Sequence, residues 1–162
     1  MSKPVKQIPV GYGTVTPWII GRDTAGLIEF LKAAFGATEL ARIPGKDGRI
    51  DHAEVRIGDS VVMMFDAPRD GSWRDTPAFL RLYLTDADAS FAQAAEAGAT
   101  PVTKVTHLAF GDRVGRVRDP FGNVWWLQTH VEDVSEDEMN RRWSEPKWAK
   151  AMEYVQGAKL LG

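Results

Sequence analysis

The chain repeats itself. Gly36-Ala37-Thr38 returns as Gly98-Ala99-Thr100, the aromatic residue Phe30 returns as Phe91, and Gly58-Asp59 returns as Gly122-Asn123, at shifts of 61 to 64 residues that centre on about 62 to 63. Several landmarks at a nearly constant offset mark a duplicated supersecondary unit. In the first copy, residues 14–20 are β-branched and aromatic enough for a strand. A helix follows: Asp23 or Thr24 caps it, Leu27, Ile28, Leu31 and Ala34 recur at helical spacing, and Gly36 stops it. Three antiparallel strands at 39–43, 50–57 and 61–65 complete the unit, joined by a Pro-Gly-Lys-Asp-Gly turn at 44–48 and by Gly58-Asp59. Residues 67–75 form a Pro-, Gly- and charge-rich connector, after which the pattern begins again. A strand at 79–84 leads to a helix over about 88–97, and further strands follow at 100–104, 112–118 and 124–129.

Each copy is therefore a βαβββ module, one over about 10–68 and the other over about 76–132, within a single α+β domain spanning 1–162. Residues 135–162 lie outside the repeat. Ser135 and Glu138 make a capping-box pair and Pro146 suits the first turn of another helix. Trp143, Trp148, Met152 and Tyr154 are the apolar content of this helical extension, which packs on the domain or on a second subunit, or closes over a ligand as a lid.

The chain has 44% hydrophobic residues, enough for one continuous core. Its formal charge of -2 comes from well-mixed acids and bases, with no basic block to follow a phosphate backbone or an anionic membrane. Nucleic acid and membrane are therefore not expected partners. The absence of cysteine excludes disulfides, thiolate nucleophiles and Cys-ligated metals. No apolar run approaches the roughly 18 residues that cross a bilayer, and a cytoplasmic protein is expected. No P-loop, Gly-rich dinucleotide fingerprint or Ser-His-Asp signature is present.

Several short motifs occur in an order that resembles a known family. They are Thr14-Val15-Thr16-Pro17, Ala34-Phe35-Gly36-Ala37, the stretch Gly48 to Ser60, Gly111-Asp112-Arg113, and Asp119-Pro120-Phe121-Gly122-Asn123-Val124-Trp125. The sequence over about 9–142 resembles the glyoxalase/bleomycin-resistance/dioxygenase (vicinal-oxygen-chelate) superfamily, in its PhnB-like branch. The resemblance implies paired βαβββ modules whose curved sheets enclose a cup, commonly in a homodimer. It also implies that members doing metal chemistry take one ligand from the first and one from the last strand of each module, typically His, Glu or Gln. Carried over by the repeat, those places are Thr16, Met63, Phe79 and Trp126. A hydroxyl, a thioether, a phenyl ring and an indole do not hold zinc, nickel or iron. No metal and no other cofactor is expected.

Strand alternation selects the side chains that face the cup. Leu80, Leu82 and Leu84 point to the helix, which leaves Phe79, Arg81 and Tyr83 inside. The same phase places Thr14, Thr16, Trp18 and Ile20, then His52, Glu54 and Arg56, then Met63 and Phe65, and finally Trp126, Gln128 and His130 on the inner face. Thr16, Trp18, His52, Glu54, Met63, Phe65, Phe79, Arg81, Tyr83, Trp126, Gln128 and His130 are the candidate ligand-binding residues. An aromatic and thioether wall with few polar groups suits a small, partly apolar molecule, and Arg81 or Arg56 suits a carboxylate or phosphate on it. Aromatic residues at strand spacing equally suit a filled cup with no ligand.

His52, Glu54 and His130 are the candidate catalytic residues. The plainer reading has His52 and Glu54 bonded to each other or lining a dimer seam, Arg56 paired with Glu54, and His107 solvated in a loop over 105–111. Three functions follow. The first is metal-free binding of a small aromatic or amphipathic molecule, as drug-resistance members of the family do. The second is a lyase- or isomerase-type enzyme using His52, Glu54 and His130, with or without a divalent metal. The third is a structural or regulatory dimer.

Overall fold

In the computed structural model, which describes residues 5–159, the chain divides into two compact units between Ala78 and Phe79. Each unit carries one βαβββ module, and the second also carries the helical extension.

The first unit runs β1 (Trp18–Gly21), α1 (Thr24–Phe35), β2 (Thr38–Pro44), β3 (Ile50–Ile57) and β4 (Ser60–Asp66), with sheet order β1-β4-β3-β2. β1 pairs parallel with β4, and the remaining pairs are antiparallel. Asp23 caps α1 by accepting from the Gly26 amide at 2.8 Å. Gly36 ends it in the left-handed region at φ 64, which glycine adopts without a Cβ penalty. Leu27, Ile28 and Leu31 on α1 and Ile19, Ala53, Val55 and Met64 of the sheet form the core of this unit, all at most 2% exposed. Each of the larger side chains contributes about 1.5–3 kcal/mol on burial. Buried Asp66 ties two elements together, accepting from the Thr24 amide (2.7 Å) at the start of α1 and from the Ile50 amide (2.8 Å) at the start of β3.

β1 is shorter than the 14–20 strand expected from composition. Pro17 has no N–H to donate to a ladder. Pairing therefore begins at its carbonyl, which accepts from the Met63 amide at 3.0 Å. Thr14 and Thr16 precede the strand. The connector does not leave the unit at once. The Thr76 amide donates to the Ile20 carbonyl at 2.7 Å, adding a single antiparallel bridge beside β1.

The second unit repeats the plan: β5 (Phe79–Tyr83), α2 (Ala87–Glu96), β6 (Thr100–His107), β7 (Asp112–Arg118) and β8 (Val124–His130), in the order β5-β8-β7-β6. Asp86 caps α2 through the Ala89 amide at 2.9 Å. Where the first unit uses Asp66, the second uses Thr129, whose hydroxyl accepts from the Ala87 amide (2.7 Å) and donates to the Leu84 carbonyl (2.9 Å). The turn into β8 is organised by Asp119, only 3% exposed. Its carboxyl group accepts from the amides of Phe121 and Asn123 (both 2.9 Å), from Asn123 Nδ2 (2.7 Å) and from Trp125 Nε1 (2.8 Å).

β6 continues three residues past its expected end at 104, so His107 is the last strand residue and not part of a solvated loop. His107 is half-buried, with Nε2 3.2 Å from Glu132 and its ring edge-on to Trp148 at 5.2 Å.

Two further helices, α3 (Glu136–Trp143) and α4 (Pro146–Gly157), follow β8. Ser135 caps α3 through the Glu138 amide at 3.2 Å, and Pro146 occupies the first turn of α4. Arg142 holds the extension to the second unit: it pairs with Glu132 and Glu138 and donates to the Ala109 carbonyl at 3.1 Å. The apolar anchor is Val155, which packs on Leu108 and Val114. Trp143 and Tyr154, expected as apolar content, are 49% and 47% exposed. Tyr154 is used for its oxygen, which accepts from the Lys104 amide at 2.9 Å. The chain as a whole is thus α+β, two tandem βαβββ modules with a C-terminal helical extension.

Candidate functional site

Alternation on β3 is regular: Ala53, Val55 and Ile57 are buried toward α1, and His52, Glu54 and Arg56 occupy the opposite face, half-buried. Met63 and Phe65 on β4 and Trp18 on β1 share that face. Glu54 stands opposite Met63 across the β3–β4 pair, and Met63 stands beside Trp18 in the β1–β4 pair. Trp18 lies edge-on to Phe65 at 5.8 Å and tilted against His52 at 5.5 Å. Phe65 in turn meets Trp73 of the connector at 5.7 Å. These rings, with Ile20 and Pro68, surround a concavity of about 540 Å3 whose polar edge is His52 and Asp51.

Behind the aromatic wall His52 Nε2 lies 2.9 Å from Glu54, which also accepts a hydrogen bond from the Tyr12 hydroxyl. The Tyr12 bond first, and then the His52 bond, hold the Glu54 carboxyl below its ordinary range. The same Glu54 contact pushes the Tyr12 phenol up. Arg56 does not take the expected place beside Glu54. It donates instead to the Gly11 carbonyl at 3.1 Å. Tyr12 and Trp73 are two residues that sequence reasoning missed here. Both lie outside strands, and period-2 patterning says nothing about loops.

In the second unit Phe79, Arg81 and Tyr83 alternate outward from the core as expected, and Phe79 lies edge-on to Trp126 at 5.5 Å. Arg81 stacks on the Tyr83 ring at 4.8 Å. Gln128 donates to the Tyr83 hydroxyl (3.2 Å) and to buried Asp112, which also receives the Tyr83 hydroxyl at 3.3 Å. His130 is held at both ring nitrogens, by Asp112 (2.6 Å) and by Asp133 (2.9 Å). The Asp133 and Asp112 carboxylates push its pKa up. Burial pushes Asp112 up, but the His130 and Gln128 bonds outweigh it and leave that carboxyl lowered. His52 and Glu54 thus belong to the first unit, and His130 belongs to the second, with carboxylate partners of its own.

Registers revise which residues sit where metal-using members carry ligands. Trp18, not Thr16, neighbours Met63, and Arg81, not Phe79, neighbours Trp126. Both sets fail chemically: a thioether, two indoles and a guanidinium supply neither imidazole nitrogen nor carboxylate oxygen. Among the described residues no three His, Asp or Glu side chains cluster to hold an ion.

The family model for the Glyoxalase/Bleomycin resistance protein/Dioxygenase superfamily matches residues 12–127. An uncharacterized protein of Mycobacterium bovis is 40% identical over 134 residues, covering 77% of this chain and 88% of that protein. Among solved structures, TioX from Micromonospora sp. ML1 aligns with a TM-score of 0.62 and 25% identity, over 74% of this chain and 99% of that one. A PhnB protein from Bacillus cereus shares the fold at a TM-score of 0.55 and 12% identity, over 72% of this chain and 99% of that one. The chain belongs to the glyoxalase/bleomycin resistance protein/dioxygenase superfamily. No helix among the described residues is long and apolar enough to cross a membrane.

Proposed function

We propose that this protein binds a small aromatic or amphipathic molecule without a metal, and that the first-unit concavity holds the aromatic part of that ligand. The observation that carries the reading is the trio Trp18, Phe65 and Trp73 around about 540 Å3 of space, with polar groups only at one edge. Trp18 and Trp73 are 47% and 55% exposed, an arrangement that leaves large apolar faces for a planar partner. We place the chain in the PhnB-like branch on its motif order, and in the cytoplasm. We assign it a homodimer. Light scattering at twice 17.9 kDa is the expected mass.

The test is a panel of neutral planar aromatics and bleomycin, read by tryptophan emission and thermal shift. A ligand at a hundred times its Kd adds about 2.7 kcal/mol, which raises the Tm of a chain this size by about 5–10 °C. Trp73→Ala is expected to weaken binding about tenfold, since an aromatic pair contributes about 0.5–1.5 kcal/mol beyond its buried area. A panel that moves neither emission nor Tm removes the proposal.

A second reading, acid–base catalysis by His52, is favoured by one observation: Glu54, itself fixed by Tyr12, orients His52 at the edge of that concavity. A base with a carboxylate orienter is a recurrent catalytic arrangement. Once a substrate is known, His52→Gln should abolish turnover, and unchanged kcat refutes this form.

A further inference from the structure

The second unit has its own cavity, about 340 Å3, between the sheet and α4. Arg81, Arg116, Trp126 and Gln128 line the sheet side, and Phe110 and Met152 line the side toward the helical extension. Arg116 stands opposite Trp126 in the β7–β8 pair, as Glu54 stands opposite Met63 in the first unit. A cation therefore replaces a carboxylate at the matching place.

Arg116 is only 5% exposed, and among the described residues it forms no ion pair. Its guanidinium lies 3.8 Å over the Trp126 ring, and Nη1 donates to the Val155 carbonyl near the C-terminus of α4. The negative end of that helix offsets part of the charge, and the indole face offsets more. Two donors on this stacked pair stay buried with no acceptor, Arg116 Nε and Trp126 Nε1. Leaving buried donors unpaired is costly, the more so on a charged group. The stack therefore leaves Arg116 an incompletely compensated cation on the cavity wall.

The charges around the cavity indicate what kind of acceptor fits. Asp112 is the carboxylate on the lining, and Gln128, Tyr83 and His130 already occupy it. Two guanidinium groups, Arg81 and Arg116, therefore face one engaged carboxylate, which leaves an excess of one positive charge. The remaining walls are apolar, and the volume is at the small end of ligand pockets.

We propose that the second unit binds a small organic monocarboxylate, with the carboxylate held between the guanidinium groups of Arg116 and of Arg81 at the cavity mouth, and the apolar body against Phe110 and Met152. All of its lining residues belong to the second unit, and it takes a different chemistry from the aromatic concavity of the first. It also gives the helical extension a role, because α4 supplies one wall and the carbonyl that positions Arg116.

The experiment is calorimetry on the full chain with cyclohexanecarboxylate and its neutral isostere cyclohexanecarboxamide, neither of which offers an aromatic face to the first-unit concavity. The carboxylate is expected to bind at least about tenfold more tightly than the amide, as charge-assisted bonds require. Arg116→Met is expected to remove carboxylate binding while keeping the fold, since it deletes an unpaired buried charge at similar volume. Arg81→Gln, at an exposed position, is expected to weaken binding several-fold with no effect on folding, and keeps the test decisive if Arg116→Met does not fold. Equal affinity for acid and amide, or carboxylate binding that survives both substitutions, overturns the proposal.

Discussion

Asp119 is the most connected side chain in the turn that launches β8, and its removal has a calculable cost. One carboxyl group accepts four hydrogen bonds of 2.7–2.9 Å from Phe121, Asn123 and Trp125, in a position 3% exposed. Asn123 and Trp125 are themselves buried, at 1% and 0%. At about 1 kcal/mol for each bond, Asp119→Ala should cost about 4 kcal/mol, a large part of the 5–15 kcal/mol typical of a domain. For a chain of this length that is a fall in Tm of about 8–16 °C. Asp119→Asn keeps the shape but turns one acceptor oxygen into an N–H donor facing other donors, so it should recover less than half of the loss. Urea unfolding at constant m-value, followed by far-UV dichroism, measures both variants. Trp126 and Arg116 depend on the β8 start for their placement, so carboxylate binding should weaken together with stability. A loss under about 1 kcal/mol for Asp119→Ala, or an Asn variant as stable as the parent, would refute the idea that this carboxyl group organises the turn.

Two further outcomes are expected. His130 has its pKa raised by Asp133 and Asp112. Its contribution to stability is therefore fully present below the unfolded value of about 6.5 and is lost as pH rises through the folded value. The Tm gap between the parent and His130→Gln should be widest near pH 6, narrow toward pH 9, and shrink in high salt, because the imidazole is 52% exposed; a gap independent of pH contradicts this. Gly111 adopts φ 90, and a Cβ there would lie 2.2 Å from the Glu132 carbonyl oxygen. Gly111→Ala should therefore displace the chain after β8 and destabilise by more than about 2 kcal/mol, measured by calorimetric unfolding; a neutral substitution contradicts the clash.

Much of the architecture was legible because it is local. The 62- to 63-residue offset, Asp23 and Gly36 at the ends of α1, and the period-2 pattern of β3 depend on neighbours within one element, and β3 runs Ile50–Ile57 as the pattern predicts. The outward face of Trp18, His52, Met63, Arg81 and Trp126 follows from the same alternation. Other features needed the tertiary structure. Which residue stands beside Met63 is set by the parallel β1–β4 ladder that starts at the Pro17 carbonyl, and a strand propensity cannot report a register between distant strands. Tyr12 and Trp73 reach the first-unit site from irregular segments, whose side-chain directions have no period. Alternation alone puts Arg116 on the open face of β7. That it is a buried cation with an unsatisfied donor is decided by α4, which arrives some forty residues later in the chain and covers it with Val155. Sequence periodicity determines which face a side chain takes, whereas its partners, its solvation and hence its chemistry depend on what the folded chain brings against that face.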